Sequence, residues 1–365
     1  MRETPLTVLQ LTHQGDGAGS TQSILNLSEQ LARRGARVLV GCRAESLLFR
    51  QAQHAGLETR AFDFSRLGTL ARALADVVAR ERVHVVNSHA TRDRRALAWA
   101  RWRGRLAAAF VTTRRTMPLT SPFELLAIGW TADRTIAVSH AVATALRRRL
   151  HPMRCVRVVP NGIDLARVDR PVSPDDLAAA RAQLGDIAGR PVILCMARRK
   201  RQDVLLRAVA RMARPLVVAC IGVEPDAELT ALAAALPAGQ RAVFVPFTER
   251  PLAFYQLATI ATLPSEIEGL SQALLEAMAL GLPVVASAAG GNPELVTAGE
   301  TGLLAPPLDV AAWVAALARL LDDRDGARRL AQAGRVRVRH DFTIERTAER
   351  TEAVYREAIA SLSPH

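Results

Sequence analysis

Twice along this chain, short runs of Val, Ile, Leu and Ala alternate with amphipathic stretches of helical period, and this alternation restricts the fold more than any other feature. Residues 6–12 read as a strand, 13–20 as a polar loop with glycines, 21–34 as an amphipathic helix ended by Gly35 at a C′ position, and 36–42 as the next strand. That order is a βαβ unit, which implies a parallel, doubly wound sheet. Further strands are expected at 84–87, 108–112, 135–138 and 156–159.

A second series follows, with strands at 191–196, 216–221, 242–246, 259–263 and 283–287. Helices are expected at 203–213, 227–236, 251–257, 273–280, 310–321 and 327–340. Between the two series, Pro160, Asn161, Gly162, Ile163 and Asp164 open an irregular stretch running to about Pro174. At 365 residues the chain suits two domains, each large enough to bury a core. The expected architecture is α/β: two Rossmann-like doubly wound parallel-sheet domains, 1–165 and 166–343. Hydrophobic content of 49% with only 4% aromatic fits this better than a β-sandwich. Ligands of open parallel sheets bind at the carboxyl ends of the strands, so the site is expected where two such sheets face a cleft.

Composition excludes several classes. No apolar run reaches the ~18 residues of a membrane helix, and the N-terminus enters a strand pattern directly, so a cytoplasmic protein is expected. Cys42, Cys155, Cys195 and Cys220 are widely spaced and read as small buried residues in a reducing compartment. No metal site and no cofactor is expected; the acids at 323–325 read as a capped turn. The net charge of +13 is uneven: residues 1–165 hold 25 Arg against 12 Asp plus Glu, whereas the remainder balances at 23 and 23. Of the 48 basic residues only Lys200 is a lysine, the residue suited to a phosphate that needs a compact point charge.

The stretch 264–295 carries the most chemistry. Ser271 reads as an N-cap, and 273–280 as a helix with Leu274, Leu275 and Met278 inward. Amides from Gly269 through Leu270 and Ser271 to Gln272 would face an anion. Glu276 is five residues past Ser271, roughly 7.5 Å along the axis at ~1.5 Å per residue, so it cannot serve the same atom as Glu268. Two acids and an amide cluster over that span suit a nucleotide sugar. Acids near a helix start can also simply answer its dipole. Upstream, 197–203 is a basic turn opening a helix after a strand, a fitting diphosphate pocket.

With Gly290, Gly291, Asn292, Pro293 and Glu294 trailing it, this segment resembles the donor-site signature of the family 4 glycosyltransferases, retaining enzymes of GT-B fold. The resemblance covers nearly the whole chain. It implies transfer of a sugar from a nucleotide diphosphate donor to a hydroxyl of a glycan or lipid-linked acceptor, most similar to lipopolysaccharide-core or related bacterial surface-glycan enzymes. The helix at 344–362 would then pack back on the first domain, which would bind acceptor, while the second binds donor. Arg198 and Lys200 would stabilise the leaving diphosphate, with Arg199 able to replace Arg198 because Arg201 stands where a glycine is usual. Glu268 would serve the sugar and Glu276 the ribose. Gly19 and Ser20, with Ala18 before them, and Pro246 would complete the donor site. On the acceptor side are His13, Arg115 at the position where many members have His, and His89, able to bind a hydroxyl or move a proton.

Residues 92–106 interleave Arg with Trp99 and Trp102, which suits an anionic membrane surface, phosphate binding in nucleic acid, or an ordinary helix with Trp inward. Two rival functions stand beside the transferase. One is a GT-B epimerase or hydrolase of nucleotide sugars. The other is a nucleic-acid binder, motivated by a pI near 11.1 but without a recognisable nucleic-acid module, so no nucleic-acid partner is expected.

Overall fold

The computed structural model describes residues 5–15, 19–117, 122–246 and 248–362. It divides into two compact units, residues 1–162 with 344–365, and residues 163–343. The chain thus leaves the first unit at Gly162, a few residues before the sequence-based boundary, and returns for its last helix, Ile344–Ala360.

Unit 1 is built on seven parallel strands: β1 (Thr7–Leu11), β2 (Arg37–Cys42), β3 (Glu58–Ala61), β4 (Val85–Ser88), β5 (Ala109–Arg114), β6 (Arg134–Ala137) and β7 (Val156–Val158). Their order is β3-β2-β1-β4-β5-β6-β7, so the sheet reverses direction of growth between β1 and β4. Unit 2 has six: β8 (Val192–Met196), β9 (Leu216–Ile221), β10 (Gln240–Val245), β11 (Ile260–Leu263), β12 (Val284–Ser287) and β13 (Leu303–Ala305). The order β10-β9-β8-β11-β12-β13 puts the reversal between β8 and β11. At such reversals the loops leaving two adjacent strands diverge to opposite faces, opening a crevice at the carboxyl edge.

The strands are continuous apolar runs because both faces are covered by helices. β9 is buried along all six residues, and Val218, Cys220 and Ile193 pack with Leu205, Val209 and fully buried Trp313. In unit 1 the last helix contributes Ile344, Ala348, Val354, Tyr355 and Ala358 to the cluster around Val8, Val85 and Val111. All four cysteines are buried and unbridged, and burial pushes the Cys195 thiol up to about 12. Strands β3 and β13 were not expected from the sequence: Glu58, Thr59 and Arg60 carry no apolar run, and β13 is three residues long.

Candidate active site

In unit 2 the loops leaving β8 and β11, the strands flanking the reversal, hold the basic turn and the first acid. Lys200 Nζ lies 2.9 Å from Glu268 Oε1 and donates to the Ile267 carbonyl at 3.3 Å. Backbone bonds lock the two loops together: Arg201 N donates to Pro264 O at 2.8 Å. Gln202 then braces the turn, its Oε1 accepting from Lys200 N at 2.7 Å and its Nε2 donating to the Arg198 carbonyl at 2.8 Å. Arg199 is directed elsewhere, to Asp226 at 2.8 Å, Asp203 at 3.2 Å and Glu228 at 2.7 Å. Three carboxylates thus hold the Arg199 guanidinium. Arg201 is likewise paired, with Glu266 and Asp203.

The Glu268 loop is fixed from beneath. Gly290 has φ +55°, and a Cβ there would overlap the Glu268 carbonyl, while Gly291 N donates to that same oxygen at 3.3 Å. Asn292, fully buried, donates to the Ser287 carbonyl at 3.1 Å, and the Ser287 hydroxyl bonds the Ser265 backbone. The glycine turn therefore supports the loop's backbone, which is why the sequence needs small residues there.

Ser271 caps the helix Gln272–Ala279 as expected, its Oγ accepting from Leu274 N at 3.2 Å. Gly269, Leu270 and Ser271 are buried between Glu268 and the helix. Glu276 is buried as well, its carboxylate joined to Arg167 and accepting from the Tyr255 hydroxyl at 3.1 Å. Burial first, then the adjacent Glu276 charge, pushes the Tyr255 phenol well above its ordinary value, so it stays a donor. Pro246 follows β10 at the far edge of the sheet, exposed and away from the reversal. Asp323 accepts from Gly326 N at 2.8 Å and caps the helix Arg324–Asp341, while Asp325 lies in its first turn, paired with Arg328.

Unit 1 repeats the pattern. His13 follows β1 and His89 follows β4, and Asp93 ties them together: Oδ1 lies 3.0 Å from His13 Nδ1, and Oδ2 accepts from the His89 and Ala90 amides at 2.9 and 2.8 Å. His89 Nε2 lies 2.7 Å from Gln10 Oε1, so Nε2 carries the proton, and Nδ1 accepts from Arg115 Nε at 3.4 Å. Burial, then the Arg115 and Arg94 charges, hold the imidazole well below its ordinary pKa. Of the two roles expected of His89, binding a hydroxyl or moving a proton, the lowered pKa favours the first, and both ring nitrogens are engaged within unit 1.

Below it, Asn87 and Gln10 both donate to the Tyr355 hydroxyl, at 2.7 and 2.9 Å, and Thr113 donates to Asn87 at 2.9 Å. The last helix thus holds the floor of the unit 1 site. Arg115 donates to Asn161 at 2.7 Å, and burial lowers its pKa to about 10. A cavity of about 160 Å³ is lined by Ser20, His89, Arg94, Arg114, Arg115 and Thr116 among others. Gly19 opens the helix Gly19–Arg33 at the surface; Ala18 is outside the described residues.

Asp93, Arg94, Arg114, Arg167, Tyr255 and Tyr355 were not anticipated as site residues. For the two tyrosines a signal existed, since the chain has only two and each bonds a site side chain.

Two family descriptions match the chain: Glycosyltransferase Family 4 over residues 17–167 and Glycosyl transferases group 1 over residues 178–337. The chain is 38% identical over 192 residues to a D-inositol 3-phosphate glycosyltransferase of Nocardia farcinica, covering 48% of this chain and 42% of that protein. It is 34% identical over 229 residues to the GDP-mannose-dependent alpha-(1-6)-phosphatidylinositol monomannoside mannosyltransferase of Mycolicibacterium smegmatis, 57% of this chain and 58% of the other. It thus spans about half the length of the curated relatives it matches.

Among solved structures, Anabaena HepE in complex with UDP and glucose matches with a TM-score of 0.83 at 21% identity, over 96% of this chain and 99% of that one. The lipopolysaccharide outer core galactosyltransferase WaaB, in apo form, matches with a TM-score of 0.70 at 16% identity, over 99% and 100%. These likenesses are of fold. Taken with the two family matches, they show that the chain belongs to the glycosyltransferases of group 1 and family 4 type, with the GT-B fold.

Proposed function

We propose that the chain transfers a sugar, with retention, from a nucleotide diphosphate sugar to a hydroxyl of a glycan or lipid-linked acceptor in cell-surface glycan synthesis. The observation that carries this reading is the meeting of Lys200 and Glu268 at the reversal between β8 and β11. A diphosphate arriving there meets Lys200, Arg198 and the amides before the helix Gln272–Ala279, while Glu268 is left to bind sugar hydroxyls or stabilise an oxocarbenium-like state. In front-face transfer the acceptor oxygen bonds to C1 as the C1–O bond to phosphate breaks, and the departing phosphate oxygen takes the acceptor proton. That route asks no base of the neutral His89, which would orient the acceptor with Arg115 and His13. It also requires no metal or other cofactor.

Glu276 would hold the ribose, with Arg167 as its partner in the unliganded protein. HepE is described with UDP and the Mycolicibacterium relative as GDP-mannose-dependent, so both bases are candidates. The relatives' names point to inositol-type acceptors as readily as to lipopolysaccharide. The basic unit 1 suits an acceptor held at an anionic membrane.

The test is incubation of the protein with UDP- and GDP-sugars, with and without lipid-linked glycan acceptors, followed by analysis of the anomeric product. Acceptor-dependent product of retained configuration supports the reading. Rapid release of free or epimerised sugar without acceptor favours a nucleotide-sugar hydrolase or epimerase.

A further inference from the structure

Three of the four tryptophans are on the surface of unit 1: Trp102 is 71% exposed, Trp130 65% and Trp99 38%, whereas Trp313 is fully buried in unit 2. Trp99 and Trp102 are neighbours on the helix Thr91–Trp102, with ring centroids 5.3 Å apart. The Arg103 guanidinium is 5.0 and 5.7 Å from those centroids. Trp130 is on the adjoining helix Pro122–Thr131, with Arg154 4.8 Å over its ring. The segment bearing Arg154 packs on that helix where Pro152 and His151 approach Gly129, and it adds exposed Leu150 and Met153. The reading that turned Trp99 and Trp102 toward the core is thereby excluded.

The exposed charge of this stretch is mainly positive: of the 13 Arg in residues 91–155, Arg92, Arg95, Arg103, Arg105, Arg147, Arg148 and Arg154 are exposed. Two of its three acids are engaged, Asp93 buried as a helix cap and Asp133 bonded to Arg101 at 2.7 Å and to the Phe110 amide. We propose that this surface docks unit 1 onto a bilayer carrying anionic lipid headgroups, with the indoles at the interface and the arginines on phosphate. The proposal rests on the reading of a lipid-linked acceptor and assigns the residues that would bring the protein to it.

Indole rings prefer the boundary between headgroup and hydrocarbon, and juxtamembrane arginines add attraction to anionic lipid. Stacked arginines already cover ring faces that nucleic-acid bases would need, and Leu150 and Met153 add apolar area that a phosphate backbone does not use. Self-association would press like-charged surfaces together.

The experiment is co-sedimentation of the full chain with phosphatidylcholine vesicles, with and without phosphatidylglycerol, read also by tryptophan emission. Binding that requires phosphatidylglycerol and shifts emission to the blue is expected. Trp102→Ala/Trp130→Ala and Arg103→Glu/Arg154→Glu should each weaken partitioning about tenfold or more. Both variants should keep the wild-type melting temperature and nucleotide binding, since none of these residues is in unit 2. Equal partitioning of wild type and both variants overturns the proposal. So does dimerisation abolished by Trp102→Ala/Trp130→Ala without vesicle binding, or a salt-resistant RNA complex without vesicle binding. Phosphatidylglycerol-dependent docking by a protein that binds no nucleotide would uphold this surface while contradicting the transferase reading.

Discussion

Lys200 Nζ and Glu268 Oε1 lie 2.9 Å apart across the loops of two adjacent strands, so the only lysine of the chain is balanced by the acid it is expected to work beside. The pair is partly exposed, with side-chain exposures of 32% and 13%, and it contributes little to stability. Its value is positional. In the proposed reaction a diphosphate would compete for the ammonium and release the carboxylate toward the sugar. Lys200→Ala is expected to lower kcat by ~10², about 3 kcal/mol of transition-state stabilisation, while the melting temperature changes little. Lys200→Arg should not restore the rate, because a planar fork does not reproduce a point charge at this geometry. Steady-state kinetics on both variants checks this.

Glu276 offers a separate test, since its carboxylate is held by Arg167 and Tyr255 rather than by any group of the phosphate pocket. Glu276→Gln is expected to weaken a nucleoside diphosphate about tenfold and leave inorganic pyrophosphate unchanged, as measured by titration calorimetry. Equal losses for both ligands would take Glu276 off the ribose. Removing its cation with Arg167→Ala should cost roughly 2–3 kcal/mol in urea unfolding, because a buried carboxylate is left unpaired.

Gly290 carries no chemistry of its own, yet its missing Cβ admits the Glu268 carbonyl. Gly290→Ala combines that overlap with a left-handed backbone, φ +55°, so a loss of about 1–3 kcal/mol is expected together with a fall in kcat. Thermal unfolding and kinetics read the two effects. Unchanged kcat would separate the glycine turn from the acid it supports.

Two buried histidines set the acid limb of stability. His151 is bonded to the Leu125 carbonyl and Thr135 hydroxyl, and burial lowers its pKa to about 4. Above pH ~6.5 folded and unfolded forms are both neutral at this site and its protonation costs nothing. As pH falls from ~6.5 toward 4, only the unfolded chain takes up the proton, so stability declines by ~3 kcal/mol across that window. His89 adds to the same decline, its pKa being lowered by burial and by Arg115 and Arg94. Urea unfolding at pH 7 and pH 4.5 should show a smaller pH dependence for His151→Gln than for wild type. Because burial and the Arg115 and Arg94 charges hold the His89 pKa well below its ordinary value, the pH profile of kcat should show no inflection near ~6.5 that His89→Gln removes.

Much of this was legible in the sequence because parallel strands buried on both faces announce themselves as apolar runs; β9 and the helix Pro251–Leu257 coincide with their expected bounds. The Ser271 cap was readable for a local reason, since a serine three residues before its amide partner is the signal itself. Arg167 lies 109 residues from Glu276, and Tyr355 lies 268 from Asn87; no local pattern specifies pairings of that range. The role of Arg199 was ambiguous in sequence because Arg198, Arg199 and Arg201 are adjacent and chemically equal. The partners of Arg199, Asp226 and Glu228, lie after β9 and 27 and 29 residues away, beyond the reach of any local pattern.

The central claim is that the carboxyl edge between β8 and β11 grips a nucleotide diphosphate. Calorimetric titration of UDP and GDP into wild type, Lys200→Ala and Glu268→Gln tests it most directly. One nucleotide should bind wild type at a single site, bind Lys200→Ala at least tenfold more weakly, and bind Glu268→Gln with near-wild-type affinity although transfer is lost. Wild-type affinity for Lys200→Ala, or no nucleotide binding by the wild-type protein, would contradict it.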